Sequence, residues 1–108
     1  MSQDAIQAQL DRLRAKFAAE LPQRLAEAEG HLAALRSGGG AETLKALRMI
    51  VHRLVGTGGT MGFSILSETA AVLEARLDGC LTAGGATPED VTALEAGLAA
   101  VAATAPVP

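Results

Sequence analysis

Tryptophan and tyrosine are absent from this 108-residue sequence, and phenylalanine occurs only twice. So few aromatics leave no platform for base stacking, and a net charge of -3 leaves no basic excess for a phosphate backbone, so nucleic acid is not an expected partner. Cysteine occurs once, at Cys80, which rules out an internal disulfide; the residue is expected to pack as a small apolar group. No apolar run approaches the roughly 20 residues of a membrane span. The N-terminal "MSQDAIQAQLDRLRAKF" carries charges where a secretory signal needs an apolar stretch. These absences lead to the expectation of a soluble, cytoplasmic protein with no membrane partner.

Ala, Leu and Val make up nearly all of the 49% hydrophobic content, a composition that suits close-packed helices and gives a domain of this length one core. Two glycine-rich breaks, "SGGG" at 37–40 and "AGGATP" at 83–88, divide the chain. Before the first break, Ile6, Leu10, Leu13 and Phe17 repeat at helical spacing, followed by Leu21, Leu25, Ala28, Leu32 and Leu35. Pro22 falls between the two series. Either a new helix starts near Glu20 with Pro22 in its first turn, or one long helix kinks there; a short helix followed by a long one is the expected arrangement.

A third helix is expected from Ala41 to about Gly58. A fourth follows from Ser64, as its N-cap, to about Leu81, with Leu66, Ala70, Leu73 and Leu77 as its apolar stripe. The last opens at "TPED", where Thr87 caps, Pro88 takes the first helical position and Glu89 and Asp90 complement the dipole; Val91, Leu94, Leu98 and Val101 face inward. No segment has a strand period. The short connections predict an all-α fold, an antiparallel up-down four-helix bundle with an additional short N-terminal helix. One domain spans 1–104, 105–108 is a frayed tail, and the chain is expected to be a monomer.

The stretch "RMIVHRLVGTGGTMGFSIL", residues 48–66, combines a histidine with four glycines. On a wheel at about 100° per residue, Leu47, Ile50, Leu54 and Met61 cluster on one side. His52 lies roughly opposite, with Lys45, Arg48, Gly56 and Gly59 within about 40° of it. The imidazole is therefore expected to face solvent. Helical side chains lean toward the N-terminus, so the residue at position 56 would normally cover it, and glycine there leaves it bare. Glycines inside a helix cost about 1 kcal/mol each relative to alanine, a cost that makes sense if something large must approach His52. The same glycines also fit a plain helix end with Gly58 or Gly59 in a left-handed cap.

"HRLVGTGGTMGFSIL", with "LE" at Leu73 and Glu74, resembles the signature of histidine phosphotransfer (HPt) domains, with His52, Leu54, Gly56, Gly59, Gly62 and Leu66 at matching positions. The similarity extends upstream through "FAAELPQRLAEAEGHLAAL" and Leu44 to Val51, and covers most of the chain beyond Arg14. The resemblance implies that His52 accepts a phosphoryl group from a receiver-domain phospho-aspartate and passes it to another receiver's aspartate. The partners would be receiver domains of a hybrid sensor kinase, a response regulator or both, and the receiver would supply Mg²⁺. The chain itself would bind no cofactor or metal. It carries no nucleotide-binding motif, so an autokinase is not expected, and its initiating Met and capped ends suggest a free-standing shuttle.

In one place the sequence departs from the family. A lysine usually stands three residues after the histidine, and here that residue is Val55. The candidates to supply the missing cation are Arg53, Arg48 and Lys45, with guanidinium well suited to phosphate. Gly56 and Gly59 would give the receiver steric access. Met49 and Val55, apolar on an otherwise polar face, would dock it, although Met49 equally fits ordinary packing. Val55 also motivates an alternative, a phosphorylation-incompetent adaptor that binds receivers without turnover.

Other candidates are weaker. His31 and Glu27, one turn apart, form at most part of a metal site, and a surface histidine explains them as well. Glu68, Glu74 and Asp78 have the spacing of a solvated face, and no Ser/His/Asp arrangement is evident.

Overall fold

A computed structural model describes residues 2–107; Met1 and Pro108, the outer limits of the predicted domain and tail, lie outside the described residues. Four helices make up the described chain: α1 (Gln3–Arg36), α2 (Ala41–Thr60), α3 (Ser64–Thr82) and α4 (Pro88–Ala103). Among the described residues there is no strand. Each helix packs on two others, in the ring α1, α2, α3, α4 and back to α1, with the α2 and α3 contact the most extensive.

The apolar stripes of α3 and α4 are buried as their spacing predicts: Leu66, Ala70, Leu73 and Leu77 on one, Val91, Leu94, Leu98 and Val101 on the other. Removing each Leu or Val side chain from water contributes about 1.5–3 kcal/mol, and among the described residues no polar side chain is buried with them. On α2 the buried set is Leu44, Leu47, Val51, Leu54 and Gly58. Ile50 is only half-buried and Met61 lies in the following turn, so the inward face is turned toward Val51 from the predicted one. Cys80 is buried, and burial, with Asp90 adding to it and Arg76 opposing, pushes its thiol pKa up; the group remains an apolar thiol.

The predicted break at Pro22 does not occur. α1 runs unbroken through Pro22, so there is no separate N-terminal helix. Pro22 is exposed, where its ring meets solvent, while Ala18, Leu21, Leu25, Ala28, Leu32 and Leu35 carry a continuous buried stripe past it. Packing along that stripe outweighs the single lost hydrogen bond. At ~1.5 Å per residue the 34-residue helix is ~51 Å long, which accounts for the 52 Å long axis of the molecule. Its first buried residue is Ala18, so Ile6 and Leu13, predicted to face a core, are 54% and 44% exposed.

The capping residues also differ in part. Ser64 does not cap α3; Phe63 precedes it with no side-chain cap bond. Thr87 does cap α4, and Asp90 returns the bond to the Thr87 backbone to complete a capping box. The left-handed residue after α2 is Gly62, at φ +87°, rather than Gly58 or Gly59. It closes a Schellman motif in which Phe63 N–H donates to the Gly58 carbonyl (2.8 Å) and Gly62 N–H to that of Gly59 (3.1 Å). Phe63 then stacks on Phe17 of α1 at 5.6 Å, and the Arg14 guanidinium lies over the Phe63 ring at 5.5 Å.

Gly58 and Gly62 should therefore respond oppositely to alanine. A methyl group at Gly58 would sit 3.6 Å from Leu66, an ordinary contact, so Gly58→Ala should gain helix propensity and raise stability by up to about 1 kcal/mol. Gly62→Ala forces a left-handed alanine and should cost about 1–2 kcal/mol. Denaturant midpoints of the two variants against wild type measure both.

Candidate functional site

His52 lies in the middle of α2, next to the buried Val51, on the side of the helix that borders α3. Its side chain is 59% exposed, and Nδ1 lies 2.5 Å from Oε2 of Glu74 on α3. A carboxylate can only accept, so Nδ1 is the donor. That bond selects the tautomer with the proton on Nδ1, which leaves the Nε2 lone pair free. Among the described residues Nε2 has no hydrogen-bond partner. The arrangement orients the imidazole and leaves Nε2 facing solvent.

Glu74 is the residue that the sequence pattern did not single out for this work. It is half-buried, with a 17% exposed side chain, not part of a solvated face. A second pair lies one turn away: Arg48 Nε donates to Asp78 Oδ1 at 2.5 Å, and Arg48 Nη2 is 3.7 Å from the Glu74 oxygen that receives His52. The hydrogen bond to Asp78 and then the charge of Asp78 raise the Arg48 pKa above its already high value; desolvation opposes them, and the charge of Glu74 adds the smallest contribution. His52 with Glu74 and Arg48 with Asp78 are both symmetric about Phe63 in the α2–α3 turn, and that symmetry is the signal in the sequence that could have paired them.

The other predicted residues separate. Arg53 turns to the opposite flank, into a groove of about 300 Å³ between α1 and α2 with Arg24, Glu20 and Glu27 at its rim and Phe17, Leu21, Ile50 and Leu54 beneath. Among the described residues it makes no ion pair. Lys45 is 3.5 Å from Glu42 and largely exposed. Met49 is 48% exposed, while Val55 packs partly against the core.

The glycines divide as well. A side chain at Gly56 would meet nothing within 4 Å, so the surface above His52 is open there. At Gly59 the corresponding space is taken by Ser67, whose Oγ would lie 3.2 Å from a methyl group, and Ser67 donates to the Val55 carbonyl at 2.7 Å. Gly59 therefore serves the close approach of α3 and opens no path to His52. His31 is half-buried and Glu27 pairs with Arg24 at 3.1 Å; no group of metal ligands occurs among the described residues. No described helix is long and apolar enough to cross a membrane.

Glu74→Ala should release the imidazole. In ¹⁵N-detected spectra of the isolated protein the Nδ1-protonated tautomer of His52 should fall toward the mixture of a free histidine, with far-UV circular dichroism unchanged because alanine suits helix α3. An unaltered tautomer would show that the bond to Glu74 does not orient the ring.

The family model described as "Hpt domain" matches residues 4–104, nearly the whole chain. No curated protein and no solved structure matches significantly. The chain belongs to the Hpt domain family, whose members carry phosphoryl groups on histidine in phosphorelays and interact with receiver domains of two-component systems.

Proposed function

We propose that this Hpt domain is a phosphorelay carrier that accepts a phosphoryl group on His52 Nε2 from a receiver-domain phospho-aspartate and passes it to another receiver's aspartate. The observation that carries the reading is the exposed imidazole held at Nδ1 by Glu74, since it leaves one nucleophilic nitrogen, pointing outward. In the transfer, the Nε2 lone pair forms the bond to phosphorus as the aspartyl oxygen–phosphorus bond breaks, and the electron pair leaves with the aspartate carboxylate. The Nδ1 proton stays between His52 and Glu74, whose negative charge offsets the positive charge gained by the ring. Return to a second aspartate reverses these steps.

In this reading the chain needs neither autokinase activity nor a cofactor of its own, because the receiver brings Mg²⁺ and the charge stabilisation, and transfer is mostly positioning and electrostatics. Of the basic candidates, Arg53 lies on the α1 flank, Lys45 pairs with Glu42 and Arg48 with Asp78, so in this reading the charge of the phosphoryl group is met by the receiver. The open surface at Gly56 admits the receiver's loops, and exposed Met49 beside it supplies apolar contact. The partners are receivers of a hybrid sensor kinase, a response regulator or both. We further read the protein as a cytoplasmic monomer of one domain, 1–104, with a short tail. We read the bundle as antiparallel and up-down, supported by the short connections 37–40, 61–63 and 83–87.

A second reading, an adaptor that binds receivers without turnover, is favoured by Val55, whose apolar side chain stands against the core where a cation would serve the phosphoryl group. Labelling separates the two. Exposure to a phosphorylated receiver with Mg²⁺ should label the chain with a modification labile in acid and comparatively stable in alkali. His52→Ala should abolish it without unfolding an exposed site, and His31→Ala should retain it. Tight receiver binding without label would establish the adaptor, and a label that survives His52→Ala would sink the assignment.

Access is tested separately. Gly56→Leu should leave the fold intact, since nothing lies near that position, yet slow phosphoryl acceptance by at least about tenfold by crowding the approach to Nε2. Acceptance at the wild-type rate would refute the steric role.

A further inference from the structure

Glu74 is a half-buried carboxylate that must keep its charge and its orientation to hold the His52 ring. A carboxylate drawn out of water retains its charge most readily beside a cation. Val55 cannot supply one. Arg48 approaches Glu74 from the turn of α2 before His52, and Asp78 anchors it from the next turn of α3: Arg48 Nε to Asp78 Oδ1 is 2.5 Å and Arg48 Nη2 to Glu74 Oε2 is 3.7 Å. A planar guanidinium can span two carboxylates in this way, which a lysine ammonium cannot do with the same geometry.

We propose that Arg48 is a positioning residue for phosphoryl transfer that acts through Glu74: pinned by Asp78, it holds the Glu74 carboxylate against Nδ1 of His52, and the cation missing at Val55 is replaced at the back of the ring instead of at the phosphoryl group. This rests on His52 as the reacting residue. To touch a phosphoryl group on Nε2, Arg48 would have to leave a short charge-assisted bond to Asp78 and its contact with Glu74, so a direct clamp is the poorer use of it. The contrast with Arg53 is geometric, because Arg53 lies toward the α1 groove with no ion pair among the described residues.

A double-substitution cycle on the full chain tests this, with two readouts: the His52 tautomer from ¹⁵N shifts of the unphosphorylated protein, and the rate of phosphoryl acceptance from a phosphorylated receiver. Arg48→Gln alone should lower the Nδ1-protonated fraction and slow acceptance severalfold. Arg48→Lys, which keeps the charge without the planar fork, should restore part of both. In a Glu74→Ala background, adding Arg48→Gln should change neither readout by more than about twofold, because the connection to His52 is already cut. Equal slowing with and without Glu74 would mean that Arg48 meets the phosphoryl group directly, and the proposal would fall; it would fall equally if Arg48→Gln left the tautomer intact. A wild-type chain that accepts no phosphoryl group would overturn the carrier function alone, since the tautomer cycle needs no transfer and would still decide the role of Arg48.

Discussion

The close approach of α2 and α3 near their connecting turn sets the geometry on which the site depends. Gly58 lies against Leu66, Gly59 lets Ser67 in, and the Ser67 hydroxyl bonds the Val55 carbonyl. Two helices locked together at that end keep a fixed register along their length. Gly59 opposes Ser67, then His52 meets Glu74, then Arg48 meets Asp78, each pair symmetric about Phe63. Bulk at Gly59 would push on the same contact that places a carboxylate behind the imidazole.

The turn itself is held from outside the pair. Phe63 follows the left-handed Gly62, stacks on Phe17 and lies under Arg14, both on α1. The long first helix thereby supports the α2–α3 end of the bundle, which gives the unbroken passage through Pro22 a structural purpose: the same rigid rod contributes the buried stripe from Ala18 onward and the clamp one turn before it.

Around His52 the charges are arranged in depth. Glu74 stands behind the ring, Arg48 behind Glu74 and Asp78 behind Arg48, so the polar network lies on the α3 side while the exposed nitrogen is left to the partner. Arg53 and the α1 groove form a separate flank. In the proposed carrier role, where the electrophile and metal arrive on the receiver, this setting would leave orientation of the ring, more than general-base strength, to this chain.

How much was legible in advance follows from the range of each interaction. Helix identity, the stripes of α3 and α4, the Thr87 cap and the outward placement of His52 are encoded between residues three and four apart, and the sequence alone determined them. The tertiary structure decided what local pattern could not. Pro22 reads as a break locally, but a stripe continuous on both sides of it packs as one helix. Gly59 reads as access beside Gly56 and Gly58 or Gly59 as the left-handed cap, yet Gly56 alone is open, Gly58 and Gly59 meet α3 and Gly62 turns the chain, because the neighbouring helix decides their surroundings. Glu74 and Asp78 have the spacing of a solvated face; their partners lie 22 and 30 residues away in sequence, across an interface whose register is set by helix packing and carries no local periodic signal.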